Sequence, residues 1–394
     1  NLFYSPVAWL LLVLFVFMTG MTFGEMMESL SRKQELGRNL YAISKEIFYN
    51  SRGLWGSVSQ WFYLVMPLLT MGLISQEFSR GSIKLLFVAP ITSRHIVLGK
   101  FLGMMMYGLL MFSVLLVYVI LGGCWIESFD WAAVLTGLLG LYLLFGTYAA
   151  IGLFMSTLTT YPIVAAIYML ALLTFLRFVS GLWQEYTFVR DITYWLALDR
   201  RAGTFINGMI CSEDFLYFVI MTAMFLGFAI LKLQFIRERR SMLSKVGRFL
   251  GVFIVAMLLG YVTSRPMLRL YHDSTHTKTN TLTEASQEIV SKLDGGLKMT
   301  TYVNLFGSIY NITPAKVMAD IARYNSYIRF KPETKMDYVF YYYTDTTDGF
   351  FAHRFAGKTL SEAAKEMAKF QGVNAKKYVP LSKVDPDVDL RDEG

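Results

Sequence analysis

Seven long apolar segments limit what this chain can fold into, because each could cross about 30 Å of hydrocarbon as a helix. They occupy the first 263 of its 394 residues. Their apolar runs are continuous rather than alternating, which excludes a β-barrel and predicts an α-helical membrane bundle. The predicted spans are residues 5–23, 54–75, 97–122, 132–156, 162–181, 215–233 and 247–263.

Composition changes at residue 264. Over the whole chain 55% of residues are hydrophobic, 17% are charged and the mean hydropathy is +0.43, unlike a soluble protein. Residues 264–394 nevertheless carry 18 basic and 16 acidic side chains. We therefore expect a soluble domain after the seventh span. Because the sequence opens with Asn1 and stops at Gly394, we also expect truncation at both ends, with the first apolar run a retained helix rather than a signal peptide.

The loops between spans indicate an orientation. Residues 76–100 have a net charge of +3 and residues 232–248 of +5, whereas residues 24–53, 123–131 and 182–214 have net charges of +1, −2 and −2. Cytoplasmic loops carry excess Lys and Arg, so the two basic loops are predicted to be cytoplasmic and the soluble domain extracytoplasmic. Basic residues beside apolar segments do not form a nucleic-acid-binding stripe, and no nucleic-acid partner is expected.

The loop QEFSRGSIKLLFVAPITSRHIVLGK, residues 76–100, is both basic and apolar. Pro90 should end any short helix in it, and Ser93 is the predicted N-cap of the third span. Its apolar patch either packs against the bundle and the lipid interface or docks a cytoplasmic partner. Glu77 could simply pair with Arg80, three residues further along a helix.

The same loop resembles the signature of type 2 ABC export permeases, which reads Glu, basic-Gly-Thr, Leu-Leu, Pro, Gly-Lys. The matching residues are Glu77, Arg80, Gly81, Ser82 in place of Thr, Leu85, Leu86, Pro90, Ile91, Gly99 and Lys100. SPVAWLLLVLFVFMTG from residue 5 and GTYAAIGLFMSTLT from residue 146 resemble the first and fourth spans of that family. The stretch from residue 191 to 228 is similar to the gliding-motility branch.

This resemblance implies the permease subunit of an ATP-driven exporter in a bacterial inner membrane. Its loop 76–96 would dock onto a separate cytoplasmic ABC ATPase, and two permease copies would pair with two ATPases. The implied coupling residues are Glu77, Arg80, Gly81, Ile83, Leu85, Leu86, Phe87, Pro90, Gly99 and Lys100. On this reading Glu77 and Arg80 would orient the loop, and residues 83–88 would contact the ATPase. The chain lacks a GxxxxGK[ST] phosphate loop, so ATP and Mg are expected on the partner. No enzyme activity and no catalytic, cofactor or metal residues are expected in this chain.

The soluble tail reads as an α/β domain with a largely parallel sheet. LKMTTYVNLF and MDYVFYYYTD are predicted strands, and helices are predicted to open at Thr281, Thr313 and Thr359. TNTLTEASQEIVSKLDGGLKMTTYVNLF resembles the juxtamembrane opening of gliding-motility auxiliary proteins, here fused to the permease. The predicted division is a permease domain at 1–240, a linker and seventh transmembrane helix at 241–263, and an extracytoplasmic auxiliary domain at 264–394.

Other functions remain open at this point. A membrane scaffold or mechanotransmission component of a cell-envelope complex would use ATPase cycles without passing solute. A secondary transporter usually carries an Asp, Glu or His deep in its bundle, and none is visible in the predicted spans, whose charged residues Lys100, Arg177 and Lys232 lie near their ends. His272 and His276 lack an HExxH acid and lie in a Ser/Thr-rich segment predicted to be a flexible stalk rather than a metal site. Cys124 and Cys211 would both lie near the outer face, where a disulfide is conceivable.

Overall fold

Two compact units make up the chain in the computed structural model. One unit comprises residues 1–177 and 197–280, and the other comprises residues 178–196 and 281–394. The structure describes residues 5–38, 42–50, 52–179, 193, 195–238, 241–265, 268–292, 297–307, 313–314, 316–331, 333–345 and 353–384. Residues 264–280, which follow the seventh helix, therefore group with the helical unit.

The first unit is built from helices of very different lengths. Its long helices are α1 (Pro6–Glu35), α3 (Leu54–Thr70), α6 (Ser93–Trp125), α7 (Trp131–Leu158), α8 (Pro162–Val179), α10 (Ser212–Arg237) and α11 (Met242–Thr263). Its short elements are α2 (Ile43–Ile47), α4 (Ser75–Ser79), α5 (Ile83–Val88), α9 (Leu198–Ile206) and the strands β1 (Met209–Cys211) and β2 (Tyr271–Asp273).

The seven predicted spans are confirmed: within the described residues, seven helices are long and apolar enough to cross a membrane. Several extend beyond the predicted apolar runs, because polar residues at their ends continue the helix. α6 has 33 residues, where the sequence predicted a span at 97–122. Its predicted N-cap, Ser93, is wrong: Thr92 takes that position, and its Oγ1 accepts a hydrogen bond from the His95 amide at 3.4 Å.

α7 is the central helix of the bundle, with 72% of its most apolar stretch buried, against 11% for α11. Its glycines allow neighbours to approach closely. A Cβ at Gly140 would lie 2.1 Å from Cβ of Phe205, and one at Gly152 would lie 2.0 Å from Oγ1 of Thr70. These glycines therefore serve close helix packing.

The chain returns to the helical unit after the seventh helix. β2 pairs antiparallel with β1, with Met209 opposite Asp273. Asp273 is buried, and its carboxylate accepts hydrogen bonds from the amide and hydroxyl of Thr275 at 3.0 and 2.7 Å and from the amide of Asn280 at 2.9 Å. The predicted flexible stalk is thus wrong here, because side-chain hydrogen bonds order the Ser/Thr-rich segment. We call residues 271–280 the return segment.

The described part of the second unit contains a three-stranded parallel sheet. Its elements are α12 (Glu284–Ser291), β3 (Lys298–Asn304), α13 (Val317–Ile321), α14 (Asn325–Phe330), β4 (Lys335–Tyr342), α15 (Leu360–Phe370) and β5 (Val379–Pro380). The strand order is β3-β4-β5, with Lys298 opposite Lys335 and Tyr341 opposite Val379. This arrangement confirms the predicted α/β class with parallel strands.

Helix caps in the second unit agree with the sequence in one place and differ in another. Thr359 and Glu362 form the predicted capping box at the start of α15. Thr281, however, does not cap α12: Thr283 does, and its hydroxyl accepts from the Ser286 amide at 3.4 Å. The core of this unit lies on α15 and the sheet. Its buried members are Leu305, Phe355, Ala363, Ala364, Met367, Ala368 and Tyr378.

Candidate functional site

The predicted coupling loop begins where α3 breaks. After Thr70 the chain makes a turn and restarts as α4 at Ser75, which leaves backbone groups without intrahelical partners. Ser156 of α7, fully buried, supplies them. Its Oγ accepts from the amides of Ile74 and Ser75, both at 2.9 Å, and donates to the Met71 carbonyl at 3.1 Å. The start of the loop is therefore fixed to the central helix.

A glycine turn separates α4 from α5. Gly81 has φ of +73°, in the left-handed region that residues with a Cβ rarely occupy. An added Cβ would meet nothing within 4 Å, so the requirement comes from the backbone conformation rather than from space. The turn joins the two short helices, which explains the glycine in the loop motif.

An ion pair joins the loop to α6. Lys100 Nζ lies 2.5 Å from Glu77 Oε1 and donates to the Leu73 carbonyl, also at 2.5 Å. The two side chains are 23% and 19% exposed. The partner of Glu77 is thus Lys100, not Arg80 as the local alternative supposed. The second carboxylate oxygen of Glu77, Oε2, is buried without a hydrogen-bond partner among the described residues.

Arg237, the last residue of α10, holds the far end of the loop. Its Nη1 donates to the Ile91 carbonyl at 3.0 Å and its Nη2 to the Phe87 carbonyl at 3.2 Å. The guanidinium carbon lies 5.5 Å from the centroid of the Phe87 ring. Carbonyls at the end of a short helix lack intrahelical donors. Arg237 donates to one such carbonyl, that of Phe87, and also to the carbonyl of Ile91 in the turn that follows. Nothing in the loop motif pointed to this residue.

The side chains of α5 divide between an anchored and an exposed face. Ile83 is 6% exposed and fixes the start of the helix, whereas Leu85 and Val88 are 76% and 85% exposed. Leu86 and Phe87 are partly buried. Of the predicted contact residues at 83–88, the structure therefore offers mainly Leu85 and Val88 to a partner.

A cleft of about 560 Å³ lies between the loop and the ends of α1, α3 and α6. It contains six of the predicted coupling residues: Glu77, Arg80, Leu85, Leu86, Gly99 and Lys100. Pro90 is exposed outside it, and a Cβ added at Gly99 would meet nothing within 4 Å. The remaining lining residues are Ser5, Val7, Ala8, Leu68, Leu69, Met71, Gly72, Leu73, Gln76, Ser82, Gly103 and Met104.

A second polar cluster joins α9 to the start of α10. Arg201 Nη1 lies 2.7 Å from Glu213 Oε1 and 2.6 Å from Asp214 Oδ1, and its side chain is 9% exposed. Burial alone would lower the pKa of Arg201, but the charges of Asp214 and Glu213 raise it above its ordinary value. Arg269, beyond the seventh helix, also pairs with Glu213 at 2.9 Å. The positive and negative charges within this cluster balance. We call it the joint, because it connects α9 and the chain after the seventh helix to α10.

Metal and disulfide chemistry find no support in the described ranges. No group of three or more His, Cys, Asp or Glu side chains lies close enough there to hold a metal ion. His276 instead donates its amide to Asp130 Oδ2 at 2.9 Å. Cys124 is exposed and Cys211 is buried, and the two are not bridged.

Comparison with known proteins adds one match. The family model described as ABC-2 family transporter protein matches residues 1–187. That range contains the first five membrane-spanning helices and the whole of the loop and cleft, apart from Arg237. Together with the seven apolar helices, the match points to a multi-pass membrane protein and supports a membrane permease subunit, which is a transport component rather than a catalytic one. Searches of curated proteins and of solved structures found no match.

Proposed function

We propose that the chain is the transmembrane permease subunit of an ATP-driven ABC exporter. Its 76–96 loop would dock onto a separate cytoplasmic ATPase, which binds ATP and Mg, and two copies of the chain would pair with two ATPases. The match of residues 1–187 to the ABC-2 transporter family supports the permease role, since permeases of this family normally work with an ATPase subunit.

One observation supports the docking role most directly. α5 carries two exposed apolar side chains, Leu85 and Val88. The loop around it is fixed by hydrogen bonds of Ser156, Glu77 and Arg237. An exposed apolar helix face outside the membrane is typical of a protein-binding surface. A helix fixed at both ends can transmit a displacement to the helices that hold it. The bonds at Ser156 and Arg237 lead to α7 and α10.

The orientation follows from charge. The net charges of +3 on residues 76–100 and +5 on residues 232–248 support a cytoplasmic location for the loop. With seven crossings, residues 281–394 would then be extracytoplasmic in a bacterial inner membrane. We further propose that this α/β unit is an auxiliary domain of the gliding-motility type, fused to its permease.

A second candidate is a scaffold that transmits ATPase-driven motion to the outside without passing solute. The return segment favours it, because β2 pairs with β1 and Asn280 donates to the Asn207 carbonyl, which attaches the chain after the seventh helix next to α10. The two candidates share the ATPase and differ in whether solute crosses the membrane.

The docking role can be tested by co-expressing the chain with the ABC ATPase encoded nearest to its gene. Leu85→Asp and Val88→Asp should each abolish copurification and ATPase stimulation, because a charge cannot be buried unpaired in an apolar contact. Leu36→Asp is the matched control, since Leu36 is 69% exposed at the other end of α1. Unchanged copurification with both loop variants would remove the coupling role.

Proteoliposomes distinguish the exporter from the scaffold. If the chain and its ATPase are reconstituted together, ATP-dependent accumulation inside the vesicles of one solute from a tested panel supports export. A change in hydrogen exchange of residues 268–292 without any solute movement supports the scaffold instead.

A further inference from the structure

The cleft behind α5 has two kinds of wall. One wall is apolar and belongs to the ends of membrane helices, with Val7, Leu68, Leu69 and Met104. The other is polar and belongs to the loop. A volume of about 560 Å³ is within the range of ligand sites, roughly 300 to 1,000 Å³. The occupant that fits such walls is an amphiphile, with an apolar part and a polar head.

Among the described residues, the polar wall carries one cation without an ion pair and one carboxylate oxygen without a hydrogen-bond donor. Lys100 is already paired with Glu77 Oε1. Arg80 lines the cleft, and its guanidinium has no ion pair or hydrogen bond among the described residues. Glu77 Oε2 is buried and lacks a donor within the same part of the chain. A ligand with an anionic group and a neighbouring N–H donor would satisfy both.

The cleft is also open to the membrane. Leu68 is 46% exposed and Val7 45% exposed on helices that cross the bilayer, so lipid tails surround this rim. Basic pockets between helices at this depth bind phospholipid headgroups, because the phosphate lies at the level of the helix ends. A lipid can therefore enter sideways, without leaving the bilayer.

We propose that the cleft holds a resident phospholipid with a primary-ammonium headgroup. Its phosphate lies on Arg80, its ammonium donates to Glu77 Oε2, and the first carbons of its acyl chains lie along Leu68, Leu69 and Met104. It is a bound component beside α5, not the exported solute. The proposal does not depend on an ATPase and is tested on the isolated chain.

The test uses the full chain in maltoside detergent, with lipid binding followed by native mass spectrometry. Dioctanoyl phosphatidylethanolamine should bind about tenfold more tightly than the phosphatidylcholine of equal chain length, whose headgroup has no N–H donor. Glycerophosphoethanolamine, the headgroup without chains, should not bind at the same concentration. Equal binding of the two lipids, or tighter binding of phosphatidylglycerol, would overturn the assignment.

Two variants address the two walls separately. Arg80→Gln should weaken phosphatidylethanolamine binding about tenfold, through loss of a charged hydrogen bond. Lys84→Gln is its matched control, since Lys84 is exposed on α5 and does not line the cleft. Gly103→Phe should prevent binding by filling the apolar part, because a Cβ at Gly103 meets nothing within 4 Å. If Arg80→Gln and Lys84→Gln bind lipid equally, the contacts are those of any surrounding lipid and the proposal fails.

Discussion

Lys100 and Glu77, 23 residues apart in the chain, form a 2.5 Å ion pair that ties the start of α6 to α4. Lys100 also donates to the Leu73 carbonyl, so one ammonium group holds both the turn after α3 and the short helix that follows. The base of the loop is thus closed by a side chain from the next membrane-spanning helix. α5 lies within the stretch that this contact closes.

Replacing Lys100 alone should therefore lower the free energy of unfolding more than replacing both Lys100 and Glu77. Lys100→Met leaves Glu77 largely buried without its partner, and we expect a loss of about 2 kcal/mol in the free energy of unfolding. Adding Glu77→Gln should recover part of that loss, because the remaining amide carries no charge. Thermal unfolding of the two single variants and the double variant in detergent gives the coupling energy. Additive losses would mean that the ion pair contributes nothing.

Arg237 should act on the loop without supporting the bundle. Arg237→Lys keeps the charge but cannot reach the Phe87 and Ile91 carbonyls with a planar fork, so amides of residues 83–92 should exchange about tenfold faster. The melting temperature of the chain should change little, since the side chain is exposed. Lys232→Arg, on the same helix, is the control and should leave exchange in the loop unchanged. Protection of 83–92 that survives Arg237→Lys would contradict this role.

Gly81 and Gly99 should respond differently to the same substitution. Gly81→Ala places a Cβ on a residue with φ of +73°, which costs about 1 to 2 kcal/mol. Gly99→Ala lies inside α6 with open space around the new Cβ, and it should be neutral or stabilising by about 0.5 to 1 kcal/mol. Chemical unfolding of the two variants in parallel is sufficient. Equal effects would show that the turn does not hold its left-handed conformation.

Arg201 should be much more important than Arg269, although both pair with Glu213. Arg201→Gln leaves the buried carboxylate of Asp214 without its cation, and about 3 kcal/mol of stability should be lost. Arg269 is 39% exposed, and Arg269→Gln should cost less than about 1 kcal/mol. Thermal unfolding of both variants makes the comparison. A larger loss of stability for Arg269→Gln than for Arg201→Gln would show that the joint lies at residue 269 instead.

The return segment should loosen in acid because of Asp273. Burial alone would raise the pKa of Asp273, but hydrogen bonds from Thr275 and Asn280 outweigh it and hold the pKa below its ordinary value. A carboxyl with a depressed native pKa stabilises the fold above its ordinary pKa of about 3.9 and loses that contribution as the pH falls through the native pKa. Residues 271–280 should therefore stay protected from hydrogen exchange between pH 7 and pH 5 and open below about pH 4.

Two variants isolate this effect. Asp273→Asn should raise exchange of residues 271–280 already at pH 7 and reduce the acid dependence, since no carboxylate remains to titrate. Asp337→Asn, at a 58% exposed side chain in β4, should leave both unchanged. Exchange rates are compared after correction for their intrinsic dependence on pH. An acid response that is the same in Asp273→Asn would assign it to another group.

The membrane helices were predictable from the sequence because continuous apolarity over about 20 residues is typical of a membrane-spanning helix and of little else. Their ends were predicted less well. Ser93 was expected to precede α6, yet Thr92 does, and both residues can cap a helix. The two long strands of the second unit were also predictable, since β-branched and aromatic residues dominate both, and their parallel pairing follows from the helices between them.

The candidate site was predictable only in part. The loop motif contains both members of the Glu77–Lys100 pair, but their contact depends on how α4 folds back on α6. Ser156 and Arg237 lie 81 and 150 residues from the groups they bind, Ser75 and Phe87. Neither contact leaves a pattern in the sequence. All residues of 83–88 except Lys84 are apolar, so only the fold separates the anchored Ile83 from the exposed Val88.

Because β2 pairs with β1, this pairing determines which helix would bear a pulling force applied to the soluble domain. A tensile load entering at residue 281 meets the Asp273 loop and then the strand ladder before it reaches α11. Because β1 leads directly into α10, the load runs into that helix and along it to Arg237 at its opposite end. A load on this path reaches α10 without first passing through the seventh helix.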